Sequence, residues 1–232
     1  MPKPREGLGQ DPDAETADAR IFAALLSPSP LDRSAAAAAL MDVLEEKYSL
    51  EHHYRVAKLI ESPDPRERAG GLAAIGALTM IDGDDLGPRL STYGPPLRWA
   101  LVRSLGSSPE VVREVCKHYD ELLRRARDPD ALQKEARWAL AALGEDADPS
   151  DPIGSSQPPE LRLLVGVITL RQLTLQAPTA VYPLAATALE LLWRPLTFQS
   201  AQVRSAASDA LLALLVVVAP RASRYLTQWY RV

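Results

Sequence analysis

The sequence holds few of the residues on which metal sites and disulfides depend. It has one cysteine, Cys116, and three histidines among 232 residues. A single cysteine excludes an internal disulfide and fits a reducing compartment. His52 and His53 are adjacent, so on a helix their side chains point about 100° apart. His118 diverges in the same way from Cys116, and four ligands at zinc-finger spacing do not exist. We therefore expect no bound metal.

Catalytic motifs are also missing. The sequence contains no Gly-x-Ser-x-Gly, no Gly-x-x-x-x-Gly-Lys-Ser/Thr, no Gly-x-Gly-x-x-Gly, and neither His-Arg-Asp nor Asp-Phe-Gly. Asp82, Asp84 and Asp85 surround a glycine as in part of a calcium loop, but no glutamate closes the twelve-residue pattern. An exposed turn is the simpler interpretation. These absences predict that the chain is not an enzyme, has no catalytic residue and binds no cofactor.

The sequence also lacks long apolar runs. The longest, residues 210–219, has ten residues, whereas a membrane-spanning helix needs about 20. The polar start, Met1-Pro-Lys-Pro-Arg-Glu-Gly7, is not a secretory signal. We therefore expect no membrane span and a cytoplasmic location.

An excess of positive charge is lacking, since the net charge is −4. This gives no support for nucleic-acid binding, which needs a basic footprint. The charge is uneven, however. From Ser155 onward there are seven arginines, no lysine and three acidic residues, a net +4. This imbalance reflects either differently solvated faces or a basic ridge that meets an acidic partner.

What the sequence does contain is a short phrase, repeated five times, that ends in arginine and precedes an apolar stretch. The mean spacing of these arginines is about 43 residues, within the range of about 40–47 for HEAT and armadillo repeats. Alanine and leucine dominate the apolar residues, and both favour helices. We predict an all-α fold, a right-handed α–α superhelix of the HEAT/armadillo type with about a dozen helices. The phrases are Pro30-Leu-Asp-Arg33, Pro65-Arg-Glu-Arg68, Pro109-Glu-Val-Val-Arg113, Pro159-Glu-Leu-Arg162 and Ser200-Ala-Gln-Val-Arg204.

Composition divides the chain into four stretches. Residues 1–17 are rich in Pro, Gly, Asp and Glu and are predicted to be a disordered tail. Residues 18–144 form a first repeat block. Residues 145–158 carry Asp, Pro, Ser and Gly and are predicted to be a flexible insertion. Residues 159–232 form a second repeat block.

The arginines of the phrases are the first candidate site. They either capture a ligand or form a structural ladder, in which each arginine meets an acidic or carbonyl partner in the preceding repeat. Regular repetition favours the ladder, which would also fix the stacking of the repeats. The ladder residues are Arg33, Arg68, Arg113, Arg162 and Arg204.

Two further features are predicted to matter for packing and binding. Gly70, Gly71 and Gly76 lie inside one predicted helix, where each costs about 1 kcal/mol relative to alanine. Three such costs indicate a tight helix crossing. Near the C-terminus, Trp229 and Tyr230 are predicted to be an exposed interface. Together with the apolar residues 211–218 they would favour self-association or packing against a following repeat.

Several stretches resemble the N-terminal HEAT region of target-of-rapamycin (TOR) kinases. The most specific is Glu67-Arg-Ala-Gly-Gly-Leu-Ala-Ala-Ile-Gly-Ala-Leu78, with its double glycine and the acidic loop that follows. The resemblance covers residues 18–225, although the insertion before Pro159 is longer than in that family and Asp128-Pro-Asp replaces a more apolar lead-in. The other similar stretches, in the same order, are Ile21-Phe-Ala-Ala-Leu25 with Asp32-Arg33, residues 134–144, residues 161–178 and residues 204–214.

The resemblance implies a scaffold segment that helps to dock the partner subunits of TOR complexes and contributes to dimeric assembly. It also implies a cytoplasmic location, peripheral to endomembranes. No catalytic residue carries over, because the family's kinase domain lies far downstream; a full-length parent would be a protein serine/threonine kinase. The chain would be a fragment, a split product or a truncated paralogue. The alternatives are an unrelated HEAT-repeat adaptor or transport-type protein and, third, a helical-repeat enzyme such as a DNA glycosylase.

Overall fold

The computed structural model describes residues 12–46, 49–81, 89–105, 109–144 and 157–221. Within these ranges the chain forms α-helices and two short 3-10 helices, and no strand occurs in them. The prediction of an all-α helical-repeat fold is confirmed. The α-helices are α1 Pro12–Leu25, α2 Pro30–Glu46, α3 Leu50–Glu61, α4 Pro65–Leu78, α5 Leu90–Ser104, α6 Pro109–Arg125, α7 Pro129–Leu143, α8 Pro159–Gln176, α9 Pro178–Val181, α10 Ala185–Leu196 and α11 Ala201–Val218. The 3-10 helices are Tyr182–Leu184 and Ala219–Arg221.

Proline and aspartate determine where many of the helices begin. A proline is the first residue of α2, α4, α6, α7 and α8, where its missing N–H costs nothing and its fixed φ suits the first turn. The carboxylate of Asp64 accepts a hydrogen bond from the backbone N–H of Arg66 at 2.8 Å. Asp128 caps α7 in the same way, through the N–H of Asp130 at 2.9 Å. These caps satisfy N–H groups that a helix leaves free at its start.

The chain divides into two compact units, Met1–Gly87 and Pro88–Val232. In unit 1, α1 pairs with α2 and α3 pairs with α4, and α2 packs directly on α4. The core is aliphatic, and its fully buried side chains come from all four helices. They include Leu25, Leu40, Leu44, Ile60, Ile75 and Leu78.

In unit 2, three pairs follow one another: α5 with α6, α7 with α8, and α10 with α11. Helix α8 is central, because it packs on α6, α7 and α11. Its sequence explains this position, since Leu163, Val165, Val167 and Leu173 are buried on more than one side of the helix. A helix that is apolar around most of its circumference belongs in a core.

The structure differs from the sequence prediction at the start of the chain, because helix α1 begins at Pro12, inside the segment 1–17 predicted to be a tail. Helix α5 begins at Leu90 and passes through Pro95 and Pro96, and its residues Leu90 and Tyr93 are buried. Helices α9 and α10 are separated by the 3-10 helix that contains Pro183.

The predicted division into repeat blocks at residues 145–158 stays a prediction. Helices α7 and α8, which precede and follow these residues in the chain, pack on one another within unit 2. The flexibility of the predicted insertion also stays a prediction, because residues 145–156 lie outside the described residues.

Candidate functional site

Three of the five phrase arginines make the same local contact. The Nη1 atom of Arg33 donates to the carbonyl oxygens of Ser27 (2.8 Å) and Pro28 (3.1 Å). Arg68 donates likewise to Ser62 (2.9 Å) and Pro63 (2.8 Å). Each guanidinium therefore reaches back six and five residues and binds the turn before its own helix. Arg204 repeats the geometry with Phe198 (2.9 Å) and Gln199 (2.6 Å).

The partners of these three arginines are carbonyl groups, but they lie in the turn of the same helix pair rather than in the preceding repeat. These carbonyls lie in the turns between two helices, outside the regular helical hydrogen bonds, and a guanidinium supplies donors in a fixed geometry. The arginines thus tie the end of one helix to the start of the next. Their contribution to the stacking between repeats stays a prediction.

The other two phrase arginines depart from this geometry. Arg162 donates to the carbonyl oxygen of Gly144 at 3.2 Å, and Arg194 of α10 binds the same oxygen at 2.9 Å. The end of α7 is therefore held from two directions. Arg113 is largely exposed and approaches Glu110 only at 3.8 Å. A signal for the exposure of Arg113 was present in the sequence, because Arg113 lies four residues after Pro109, whereas the other prolines precede their arginines by three.

The double glycine of α4 lies at two close helix contacts. A Cβ atom at Gly70 would stand 2.3 Å from the carbonyl oxygen of Leu25, at the end of α1. At Gly71 it would stand 2.7 Å from the backbone nitrogen of Ile60 in α3. Gly76 is half-buried, and its carbonyl oxygen accepts a hydrogen bond from the Thr79 hydroxyl at 2.8 Å. The crossing therefore lies at the first two glycines.

A buried polar cluster, which the sequence analysis missed, lies in the core of unit 2. The Glu135 carboxylate accepts hydrogen bonds from the Arg98 guanidinium and the Tyr119 hydroxyl. Arg98 also lies over the Trp138 ring, 4.0 Å from its centroid. Burial first, and then the Glu135 charge, raise the pKa of Tyr119 well above its usual value. A signal for it was present in the sequence, because Glu135 occupies a core position in the apolar pattern of α7.

A groove of about 620 Å³ lies on the surface of unit 2 between α6 and α8. Helix α6 contributes three cationic residues, two acidic ones and Cys116. Helix α8 contributes Arg171, Gln172 and Gln176. The residues from α6 are Pro109, Val112, Arg113, Cys116, Lys117, Asp120, Glu121 and Arg124.

Burial is the main cause of the pKa shift in three further groups on α6. Burial raises the pKa of Asp120 to about 6, against the opposing charge of Arg171. Burial also raises the pKa of the Cys116 thiol to about 11, so this cysteine is not a reactive thiolate at neutral pH. Burial, assisted by the Lys117 charge, lowers the pKa of His118 to about 4.

The last described α-helix, α11, exposes an apolar face. Leu212 and Val216 are 65% and 66% exposed, and Leu215 is exposed beside them. With a mean hydropathy of 1.5 over 18 residues, this helix is also the one within the described ranges that could cross a membrane by length and composition. A third of it is buried in unit 2, where it packs on α8 and α10. The predicted interface pair, Trp229 and Tyr230, lies outside the described residues.

The histidines of unit 1 are packed into the helix pairs. His52 Nε2 lies 2.8 Å from an Asp18 carboxylate oxygen, and its ring stacks on Phe22 with centroids 6.0 Å apart. Arg55 covers Phe22 at 3.6 Å, and His53 is buried. Among the described residues, no three His, Cys, Asp or Glu side chains come together in a way that would hold a metal.

Comparison with known proteins supports the resemblance to TOR kinases. The chain is 28% identical over 178 residues to serine/threonine-protein kinase TOR of Arabidopsis thaliana and 27% identical over 176 residues to serine/threonine-protein kinase tor1 of Schizosaccharomyces pombe. It is also 25% identical over 178 residues to the TOR kinase of Oryza sativa. Each match covers 76% of this chain but only 7% of the relative. No family model matches the chain.

The resemblance inferred from the phrases and the double glycine is therefore confirmed: the chain is similar to a small segment of these kinases. That similarity and the all-α fold together support a helical-repeat segment of the TOR type.

Proposed function

We propose that this chain is a non-catalytic helical-repeat scaffold that mediates protein–protein interaction in TOR-complex assembly and TOR signalling. Two observations support the proposal. The first is similarity to a short segment of three TOR kinases. The second is the architecture, in which successive helix pairs present the surfaces of α6, α8 and α11 in unit 2. Repeat proteins of this kind act through such extended surfaces.

The apolar face of α11 is the observation that carries the proposal. Leu212, Leu215 and Val216 lie within five residues of one another and are all exposed. A contiguous apolar patch on a protein surface typically marks an interaction site. Because α11 packs on α8 and α10 through its other side, the described residues of unit 2 leave the patch exposed. We propose that it contacts a protein subunit.

Affinity capture with a designed pair of variants tests this proposal. The purified chain is immobilised, exposed to an extract containing TOR complexes, cross-linked and analysed by mass spectrometry. We expect capture of TOR-complex subunits. The variant Leu212→Glu with Val216→Glu should lose them. The control Leu31→Glu, at a more exposed leucine of unit 1, should retain them. Capture of no TOR-complex subunit, or equal capture by both variants, would refute the proposal.

The non-catalytic part of the proposal has its own test. The purified chain is incubated with ATP, magnesium and a generic serine/threonine protein substrate, and phosphate transfer is measured. We expect none above the background of a heat-denatured sample. Transfer that follows the chain through purification would contradict it. The location, cytoplasmic and peripheral to endomembranes, belongs to the same proposal and is tested by imaging a fluorescent fusion.

A further inference from the structure

The groove between α6 and α8 is a second surface of unit 2, distinct from the α11 face. Both helices carry a phrase arginine in their first five residues, so the groove lies between equivalent helices of successive pairs. Its lining extends along α6 from Pro109 to Arg124, and cationic side chains recur there at positions 113, 117 and 124. At 1.5 Å per residue these positions extend over about 16 Å. This length exceeds one phosphate group and matches about five residues of an extended peptide.

The groove carries an excess of positive charge that its own acids do not neutralise. Glu121 is already paired with Arg124 at 2.5 Å and with Arg125 at 2.6 Å. Lys117 makes no hydrogen bond or ion pair within the part of the chain that the structure describes. Arg171 is held at the edge by a 3.1 Å hydrogen bond to the amide oxygen of Gln172. With Arg113 exposed beside them, these cations favour an anionic partner.

One hydrogen-bond acceptor at the floor of the groove has no donor within the described part of the chain. One carboxylate oxygen of Asp120, Oδ1, is buried and has no hydrogen-bond partner among the described residues. A buried acceptor without a donor costs free energy, which a ligand N–H would recover once rotation of the Asp120 side chain turns this oxygen towards the groove. The raised pKa of Asp120 has the same origin, since burial removes the water that would stabilise the carboxylate. A ligand that suits the groove thus carries both acidic groups and N–H donors.

We propose that the α6/α8 groove binds an extended acidic segment of a partner protein. The carboxylates of that segment pair with Lys117, Arg171 and Arg113, and a backbone N–H donates to Asp120. This inference rests on the proposed scaffold function, because it specifies the chemistry of one partner. The net positive charge of the sequence from Ser155 onward favours the same kind of partner, since Arg171 belongs to that stretch.

Fluorescence anisotropy with a labelled peptide tests the inference. The probe is a fluorescein-labelled peptide of alternating glutamate and serine, titrated with the full chain at low and at raised salt. We expect saturable binding that weakens with salt. The variant Lys117→Glu with Arg171→Gln should raise the Kd by about ten-fold or more. Lys134→Glu with Arg137→Gln, an equal change of charge at exposed positions of α7, should change it by about two-fold or less.

Asp120 provides a sharper variant. Asp120→Leu removes the acceptor and should weaken peptide binding, whereas Asp120→Asn keeps an acceptor oxygen and should retain it. Far-UV circular dichroism of every variant confirms that the helices are intact. Absence of saturable binding, or equal weakening by the α6/α8 and α7 charge variants, would overturn the inference.

Two competitors distinguish other anionic ligands from a peptide. Inorganic phosphate should displace the labelled peptide only weakly, and a single-stranded oligonucleotide should not bind more tightly than the peptide. Tight oligonucleotide binding that depends on Lys117 and Arg171 would overturn the inference in favour of a nucleic-acid groove. If α11-dependent capture of TOR-complex subunits persists while the peptide fails to bind, the scaffold function stands and this inference falls. Peptide binding without such capture would support this inference and refute the scaffold function.

Discussion

The two units hold their helices together by different means. In unit 1, α4 approaches its neighbours at Gly70 and Gly71, where the absence of a side chain lets the helix backbones come close. In unit 2, the contact among α5, α6 and α7 is made by the buried side chains of Arg98, Tyr119 and Glu135. Around α4, unit 1 therefore depends on close backbone contact, whereas around α7 unit 2 contains a buried ion pair.

This difference has consequences for how each unit responds to mutation. A close helix contact tolerates no added atom, but disrupting it leaves no unpaired charge in the core. A buried ion pair contributes little net stability while intact, yet is costly to break, because one charge is left in the core. The tryptophans permit the two responses to be separated, since residues 1–87 contain none. Tryptophan emission thus reports on unit 2, and circular dichroism reports on both.

The largest effect is expected in the buried cluster of unit 2. Glu135→Ala removes the acceptor for Arg98 and Tyr119 and should lower the free energy of unfolding by about 3–5 kcal/mol. Urea titration followed by tryptophan emission measures it. The double variant Arg98→Leu with Glu135→Leu should recover most of the loss, because no charge remains buried. A loss below about 1 kcal/mol for Glu135→Ala would contradict the role of the cluster.

The matching effect in unit 1 is overpacking. Gly70→Ala places a methyl group against the Leu25 carbonyl oxygen and should cost about 1–3 kcal/mol. The loss should appear in urea titration followed by circular dichroism. Gly166→Ala in unit 2 should cost less, because its nearest neighbour, the Ala142 methyl group, would stand 2.9 Å away, compared with 2.3 Å for the Leu25 carbonyl oxygen at Gly70. An unchanged transition for Gly70→Ala would show that α1 can move away.

The phrase arginines allow a comparison between an arginine that binds the turn before its helix and one that does not. Arg68 is buried and binds two carbonyl oxygens, so Arg68→Ala should lower the free energy of unfolding by about 1–3 kcal/mol. Arg113 is 74% exposed at its side chain, and Arg113→Ala should stay within about 0.5 kcal/mol. Thermal unfolding followed by circular dichroism ranks them. Equal losses would indicate that the arginines act in some other way.

The smallest expected effect is on the pH dependence of stability, to which two nearby residues of α6 contribute with opposite sign. The pKa of His118 is lowered on folding, so its stabilising contribution is present above pH 6.5 and is lost as the pH falls towards 4. The pKa of Asp120 is raised on folding, so its contribution is present below about pH 4 and is lost as the pH rises through 6. The two trends oppose one another across the same range.

Variants separate these trends. The difference in free energy of unfolding between His118→Gln and the parent should shift in favour of the variant by about 1–2 kcal/mol when the pH is lowered from 7 to 5. Asp120→Asn should be more stable at pH 7 by about 1 kcal/mol, after allowance for the half-exposed carboxylate. Urea titrations across this pH range, followed by tryptophan emission, measure both. Parallel pH profiles for the parent and both variants would contradict these assignments.

The sequence by itself determined the helical-repeat fold, because its signals are local. Proline and aspartate at the helix starts, alanine and leucine within them, and an arginine phrase every 43 residues or so each act over a few residues. The double glycine was also interpretable, since two glycines inside a helix are costly unless backbone approaches them. The same patterns carried the resemblance to TOR kinases.

The tertiary structure alone decided which residues meet across helices. Arg98 and Glu135 are 37 residues apart, and Arg171 reaches the groove from a helix that begins beyond the predicted insertion. Helix α5 passes through two prolines and buries Tyr93, which no local rule predicts. Long-range packing sets these positions, since burial and pairing depend on which helices become neighbours and not on the order of residues along any one of them.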